Sequence, residues 1–314
     1  MIEILNTVLP VFGLVVLGFL SIKSGFIRKG SAEGLSQYVF SIAIPTLLFR
    51  TMVEVNPPEQ APWGLWVAFF GAVLVIWTLM PLLARLFDKL PGDEAPAAGM
   101  ASSFGNLLML GLPIVYGHYG ANGTLVAALI ISIHAPLQWL GATLIMEWHK
   151  RAGSVNYREL FSGLLRDLIR NPIVMALVIG SAWRFTGLGL TPAVNSMVQM
   201  LAQSSVPAAL VALGFSLASL PIRGQISAAF LIVGLKMLVM PALVGLAGYL
   251  IGLPPLWLAV AIVFASIPPG ANAYLFANRY NAAVAPVAAS IAIGTAIAAF
   301  TMPILLWCLD HFLL

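Results

Sequence analysis

Charge is what this chain has least of. Only 8% of its 314 residues are charged, 61% are hydrophobic, and the mean hydropathy is +0.99. Soluble domains carry roughly 25% charged residues, so a water-soluble fold of this size could not cover its surface. Cysteine is nearly missing as well. The single Cys308 excludes an internal disulfide and any multi-cysteine metal site, and it reads as a small apolar side chain of the last helix. No Lys/Arg run is interleaved with aromatics, so the net charge of +4 leaves no nucleic-acid footprint. His-Glu-x-x-His, Gly-x-Ser-x-Gly and a paired intramembrane aspartate are all missing. With loops too short for a catalytic or sensory domain, an intramembrane enzyme or receptor is a remote reading, and neither cofactor nor metal is expected.

Acidic residues are missing where they would matter most. All eleven fall at the ends of apolar runs or in loops. Sodium sites and the commonest proton relays use intramembrane Asp or Glu, so carboxylate-based cation coupling has no candidate residue.

What the chain does have is apolar length. Crossing the hydrocarbon core takes about 20 residues of helix. On that measure ten spans are expected, at roughly 4–22, 34–52, 63–87, 97–118, 121–146, 171–187, 194–218, 226–252, 256–280 and 284–309. No basic stretch precedes the first run after Met1-Ile2-Glu3, so that run is expected to be a retained span and not a cleaved signal. With both termini outside, twelve basic residues fall on the inner side: Lys23, Arg28, Lys29, Arg85, Lys89, Lys150, Arg151, Arg158, Arg166, Arg170, Arg223 and Arg279. Only Arg50 and Arg184 fall outside. Basic residues resist translocation, which sets both termini on the extracytoplasmic face of a multi-pass protein.

An internal repeat organises the spans. Pro10, Gly18, Gly25 and Pro45 are matched by Pro172, Gly180, Gly187 and Pro207, each 162 residues later. Five spans per half is an odd number, so the second half enters the membrane from the opposite side. The expected fold is an all-α membrane protein with a 5+5 inverted repeat, the architecture of many secondary transporters. Its parts are a first repeat (1–146), a basic cytoplasmic loop (147–170) and a second repeat (171–314).

The same offset carries Asn106 onto Pro268, near the middle of spans four and nine. Around them stand Ser102-Ser103-Phe104-Gly105-Asn106, Gly111-Leu112-Pro113 and Ser266-Ile267-Pro268-Pro269-Gly270-Ala271-Asn272. Proline removes a backbone donor and glycine admits strained dihedrals, so both helices are expected to break, at Gly105, Gly111 and Pro113 in one and at Pro268, Pro269 and Gly270 in the other. Non-helical backbone at that depth lines a cavity or is buried in protein. Broken ends expose N–H groups and a positive dipole, which suit an anion. Ser103, Asn106, Pro268, Pro269 and Asn272 are therefore the candidate substrate-binding residues.

Two ionisable residues fall inside spans, where a charge costs about 2.5–3.5 kcal/mol or more. Lys236 either lines the cavity and favours an anion, or snorkels to the inner surface. It follows Ile226 by ten residues, a rise of about 15 Å. His134, just before Pro136 and Gln138, either bonds a freed carbonyl as a neutral ring or links transport to a proton.

The stretch from Gly105-Asn106 to Gly111-Leu112-Pro113 resembles the fourth-span motif of the auxin efflux carrier family. Ile267-Pro268-Pro269-Gly270 and Phe276-Ala277-Asn278-Arg279-Tyr280-Asn281 are similar to its ninth-span motif. Gly105 and Ala273 stand where plant members have proline, and the short 147–170 loop looks like that of prokaryotic members, assigned as malonate or malate permeases or as auxin-carrier-like proteins. The resemblance implies a scaffold of spans 1, 2, 6 and 7, a mobile transport unit of spans 3–5 and 8–10, and an elevator-like shift. It also implies Asn106 as the site asparagine and a homodimer through the scaffold. The expectation is a carrier of small organic anions in the cell inner membrane, with the lipid bilayer and its anion as partners. The alternative within transport is a sodium- or proton-coupled carrier of a related fold, such as a bile-acid transporter or cation/proton antiporter.

Overall fold

The computed structural model describes residues 2–28, 30–55, 61–87, 90–150, 162–163, 165–166, 169–221 and 225–314. Most of the predicted loop 147–170 lies outside them, as do Lys29, Lys89, Arg151, Arg158 and Arg223 of the orientation argument. Among the described residues there are helices, turns and one isolated bridge, and no strand. The α-helices are Ile2–Lys23 (α1), Ser31–Tyr38 (α2), Ile44–Glu54 (α3), Trp63–Leu86 (α4), Ala95–Ala101 (α5), Leu112–Lys150 (α6) and Pro172–Phe185 (α7). After these come Pro192–Ser219 (α8), Ile226–Gly234 (α9), Met240–Ile251 (α10), Pro255–Ser266 (α11), Ala271–Tyr280 (α12) and Val284–Phe312 (α13).

Three π-helical turns, Val39–Ala43, Leu107–Gly111 and Leu235–Val239, interrupt the helical rods. Each is followed, two residues on, by a proline: Pro45, Pro113 and Pro241. A proline in a helix clashes with the carbonyl four residues earlier, which here is the middle residue of each π-turn. Widening the turn by one residue moves that carbonyl aside, so the helix passes the proline without stopping.

Six helical stretches among the described residues are long and apolar enough to cross a membrane. They are Ile4–Lys23, Trp63–Leu86, Leu107–Trp148, Pro192–Ser219, Ile226–Ile251 and Val284–Phe312. Length and composition thus give six spans among the described residues where ten are predicted, and the count of ten is not established by them. The second predicted span is the rod of α2, π-turn and α3, which carries Arg50 and Glu54 joined at 2.7 Å. The fourth and fifth run together through Leu107–Trp148, whose backbone leaves the helical region at Gly120 (φ 62°). The sixth and ninth fall on the apolar helices Pro172–Phe185 and Pro255–Ser266, which are shorter than the candidate spans; the first of these rises about 21 Å.

The chain forms two compact units. One gathers Met1–Ala61, Leu108–Ser132 and Arg166–Ser219. In it α1 lies along α8 and α3 along α7. Gly18 faces the backbone of Val211, and Gly180 that of Phe49; the partners, like the glycines, are 162 residues apart. Arg184 donates to the carbonyls of Val53 and Val55 at 3.1 and 2.7 Å, closing the end of α3.

The other unit gathers Pro62–Leu107, Ile133–Leu165 and Leu220–Leu314. Here α4 packs on α5 and α10, α5 on α12, α9 on α13, and α10 on α11. Its interior is built from small residues, with all of Ala95–Ala101 buried, which lets backbones approach closely. Leu74, Leu82, Leu238, Leu246 and Phe300 are exposed. Such large apolar side chains on spanning helices suit a lipid solvent.

Candidate functional site

The second unit contains two interrupted helices that meet at their breaks. Helix α5 ends at Ala101, capped by Ser102, and the chain runs through Ser103, Phe104, Gly105 and Asn106 before the next helical turn begins at Leu107. Helix α11 ends at Ser266. Residues before proline avoid the α region, and Ile267, preceding Pro268, is extended at φ −65°, ψ 136°. Gly270 is extended too (φ −96°, ψ 159°) and opens α12.

The two extended pieces pair as a single antiparallel bridge, Gly105 with Pro269. The N–H of Asn106 donates to Pro268 O at 2.9 Å, and that of Gly270 to Phe104 O at 2.9 Å. In an antiparallel ladder Asn106 and Pro268 would exchange two bonds, but Pro268 has no N–H to return the second. Side chains would not fit here. A Cβ on Gly270 would lie 3.1 Å from Gly105 O and 3.2 Å from Asn106 Cα. Gly294 of α13 sits against both prolines, where a Cβ would lie 2.9 Å from Pro268 Cβ.

The ends around the crossing are satisfied by different chemistry. Ser103 is fully buried, and its hydroxyl accepts from Trp77 Nε1 at 2.9 Å and donates to Gln138 Oε1 at 2.8 Å. Gln138 Nε2 returns a bond to Ser103 O at 3.4 Å. Across the crossing Lys236, also fully buried, donates to the carbonyls of Phe264 (3.4 Å) and Ala265 in the last turn of α11. A cation there meets the negative end of the helix dipole. Its ammonium does not snorkel to a surface. The Nζ also lies 3.3 Å from where a Gly105 Cβ would stand.

Asn106 is 8% exposed and its side chain makes no hydrogen bond to a described residue. Its amide is not among the buried unpartnered polar atoms, so it stays reachable and offers both a donor and an acceptor, the clearest invitation to a ligand. Asn272 is half-buried in the first turn of α12, beside N–H groups that a helix start leaves unpaired. Gly111 ends the π-turn and Pro113 is the second residue of α6. His134 is buried with its ring 4.4 Å from Phe104 and 6.0 Å from Phe69. Its Nε2 has no partner among the described residues, so that atom meets no freed carbonyl.

The residues that sequence reasoning missed are Trp77, Gln138 and Gly294, whose roles are purely spatial. Glu94 lies just ahead of α5, and Ala283, which precedes α13, donates its N–H to it. Its Oε2 is buried without a partner among the described residues. Burial first, and the neighbouring Asp93 second, push the carboxyl above the usual carboxylate range, while the Ala283 bond opposes this.

Known proteins align along the whole length. A family described as "Membrane transport protein" matches residues 3–306. A protein of Rhizobium meliloti named "Putative malonate transporter" is 26% identical over 310 residues, covering 98% of this chain and 96% of that one. An uncharacterized transporter of Methanothermobacter thermautotrophicus is 24% identical, covering 95% and 96%. Auxin efflux carrier component 8 of Arabidopsis thaliana is 21% identical, covering 89% and 90%. The chain belongs to this membrane transport protein family, the family of the auxin efflux carriers.

Proposed function

We propose that this membrane transport protein carries small organic anions of the carboxylate class, by alternating access, and binds them at the crossing of the two broken helices. The observation that carries the reading is the Asn106 amide, without a partner among the described residues and open to a ligand, beside a crossing where the buried Lys236 brings a positive charge. The N-terminal end of α12, with Asn272 in its first turn, supplies further donors of the same sign. Ser103, whose hydroxyl accepts from Trp77 and donates to Gln138, positions the end of α5 and keeps one lone pair for a cargo donor. The name of the R. meliloti relative, "Putative malonate transporter", makes malonate the first cargo to try.

The finer architecture belongs to the same proposal: ten spans in a 5+5 inverted repeat in the cell inner membrane, both termini outside. Support comes from the paired contacts Gly18–Val211 and Gly180–Phe49, which the 162-residue offset exchanges, and from breaks at Asn106 and Pro268. Residues of spans 1, 2, 6 and 7 would form a dimeric scaffold, against which the other spans shift elevator-like. A proton link through His134 stands as a further part of the reading, since its Nε2 is free to accept.

The test is uptake of labelled malonate by proteoliposomes holding the purified protein, with Asn106→Ala alongside. Saturable uptake lost in the variant supports the reading. Uptake of neutral or cationic solutes with carboxylates ignored, or carboxylate uptake indifferent to Asn106, would overturn it.

A further inference from the structure

Lys236 is the least expected group in the molecule. It is completely buried, yet the acidic residues lie elsewhere in the sequence, and the ion pair recorded among the described residues is Arg50–Glu54. Two carbonyls at the end of α11 accept hydrogen bonds from it. A carbonyl pair and a helix end offset only part of a full charge, since a helix terminus carries roughly half an elementary charge. An ammonium has three donors, so one is left over. The neighbouring surface is the Gly105 backbone, bare of any side chain and within 3.3 Å of Nζ at the Cβ position. One residue further on is the unpartnered amide of Asn106.

The aim of this side chain depends on helix register. Lys236 lies within the π-turn Leu235–Val239 that precedes Pro241. A π-turn holds one residue more than the α-helical path, so closing it would rotate Lys236 by about 100° relative to α10. The π-turn that lets the helix pass Pro241 thus also sets the direction of the Lys236 side chain.

We propose that Lys236 is the charge-selecting residue of this carrier: it ties the end of α11 and leaves an uncompensated ammonium beside Gly105 and Asn106, for which a bound carboxylate is the counter-ion. This rests on the anion-carrier reading. It goes beyond that reading by assigning the preference for charge to one residue, held in aim by Pro241, and shape recognition to Asn106.

The experiment compares malonate with its neutral isostere malonamide, by calorimetry on the purified full-length protein in detergent. Wild type should bind malonate at least tenfold more tightly than malonamide. Lys236→Met should lose that ratio, with malonate weakened tenfold or more and malonamide unchanged or improved. Lys236→Arg should keep it within a few-fold. If Lys236→Met does not fold, Gly105→Ala decides, because its methyl reaches the ammonium: the ratio should fall there too. Pro241→Ala should lower the ratio while the protein stays folded. An unchanged ratio in Lys236→Met, or in Gly105→Ala if the first variant is lost, overturns the assignment and leaves the carrier reading standing. Wild type that binds no mono- or dicarboxylate overturns both.

Discussion

The two broken helices solve one steric problem with different residues. At the first break the chain uses Ser102, Ser103, Phe104, Gly105 and Asn106, all of which keep their N–H groups, and a neutral hydroxyl–amide–indole network holds the end of α5. At the second it uses Pro268-Pro269-Gly270, which gives up two donors, and a buried lysine holds the end of α11. The proline break is stiff and needs a close slot, supplied by Gly294 and Gly270. The other break is softer and carries a side chain able to read a ligand. The open amide of Asn106 and the buried cation of Lys236 come from segments far apart in the sequence, so the two breaks are chemically unequal.

That division can be broken at either side. The largest effect is expected from Asn106→Ala. Hydrogen bonds to charged groups contribute about 1.5–3 kcal/mol, so malonate affinity should fall by roughly 10- to 150-fold. Calorimetry reads it, with the thermal midpoint of the free protein little changed because the amide has no protein partner. Gly270→Ala should act on the fold instead. Its methyl would press on Gly105 O and Asn106 at 3.1–3.2 Å, an overpacking cost of about 1–3 kcal/mol, visible as a lowered unfolding midpoint together with weaker binding. Gln138→Leu should cost about 1 kcal/mol of stability and leave the malonate-to-malonamide ratio alone. That contrast with Lys236 separates the neutral cap from the charged one.

The smallest effect concerns Glu94, between the ends of α5 and α13. Its carboxyl is held above the usual range, so the folded protein favours the protonated form more than the unfolded chain does. Stability therefore rises as pH falls through the raised value towards the ordinary 4.5, and the ionised form is the costly one at neutral pH. Glu94→Gln should raise the unfolding midpoint slightly at neutral pH, and the gain should vanish on acidification. A variant less stable than wild type at neutral pH would mean that the Ala283 bond outweighs burial.

Much of this was legible in residue order. Pro-Pro-Gly cannot continue a helix, and both breaks lie where the 162-residue offset put them. Span counting fared less well by length, because crossing breaks leave short helices such as Ala95–Ala101 and Ala271–Tyr280, and because a π-turn divides Ser31–Glu54. Ser103 shows the limit most clearly. Its position beside Asn106 suggests a ligand contact, but nothing in residue order shows that its hydroxyl also bonds Trp77 and Gln138, residues 26 and 35 positions away.

The sequence by itself determined the solvent, the helical class and the places where helices fail, since these follow from composition and from the chemistry of single residues. Tertiary structure alone decided which carbonyls Lys236 caps, which hydroxyl is occupied and which amide is left open. Hydrogen-bond partners at the crossing come from distant segments, and only packing brings them within bonding distance of one another.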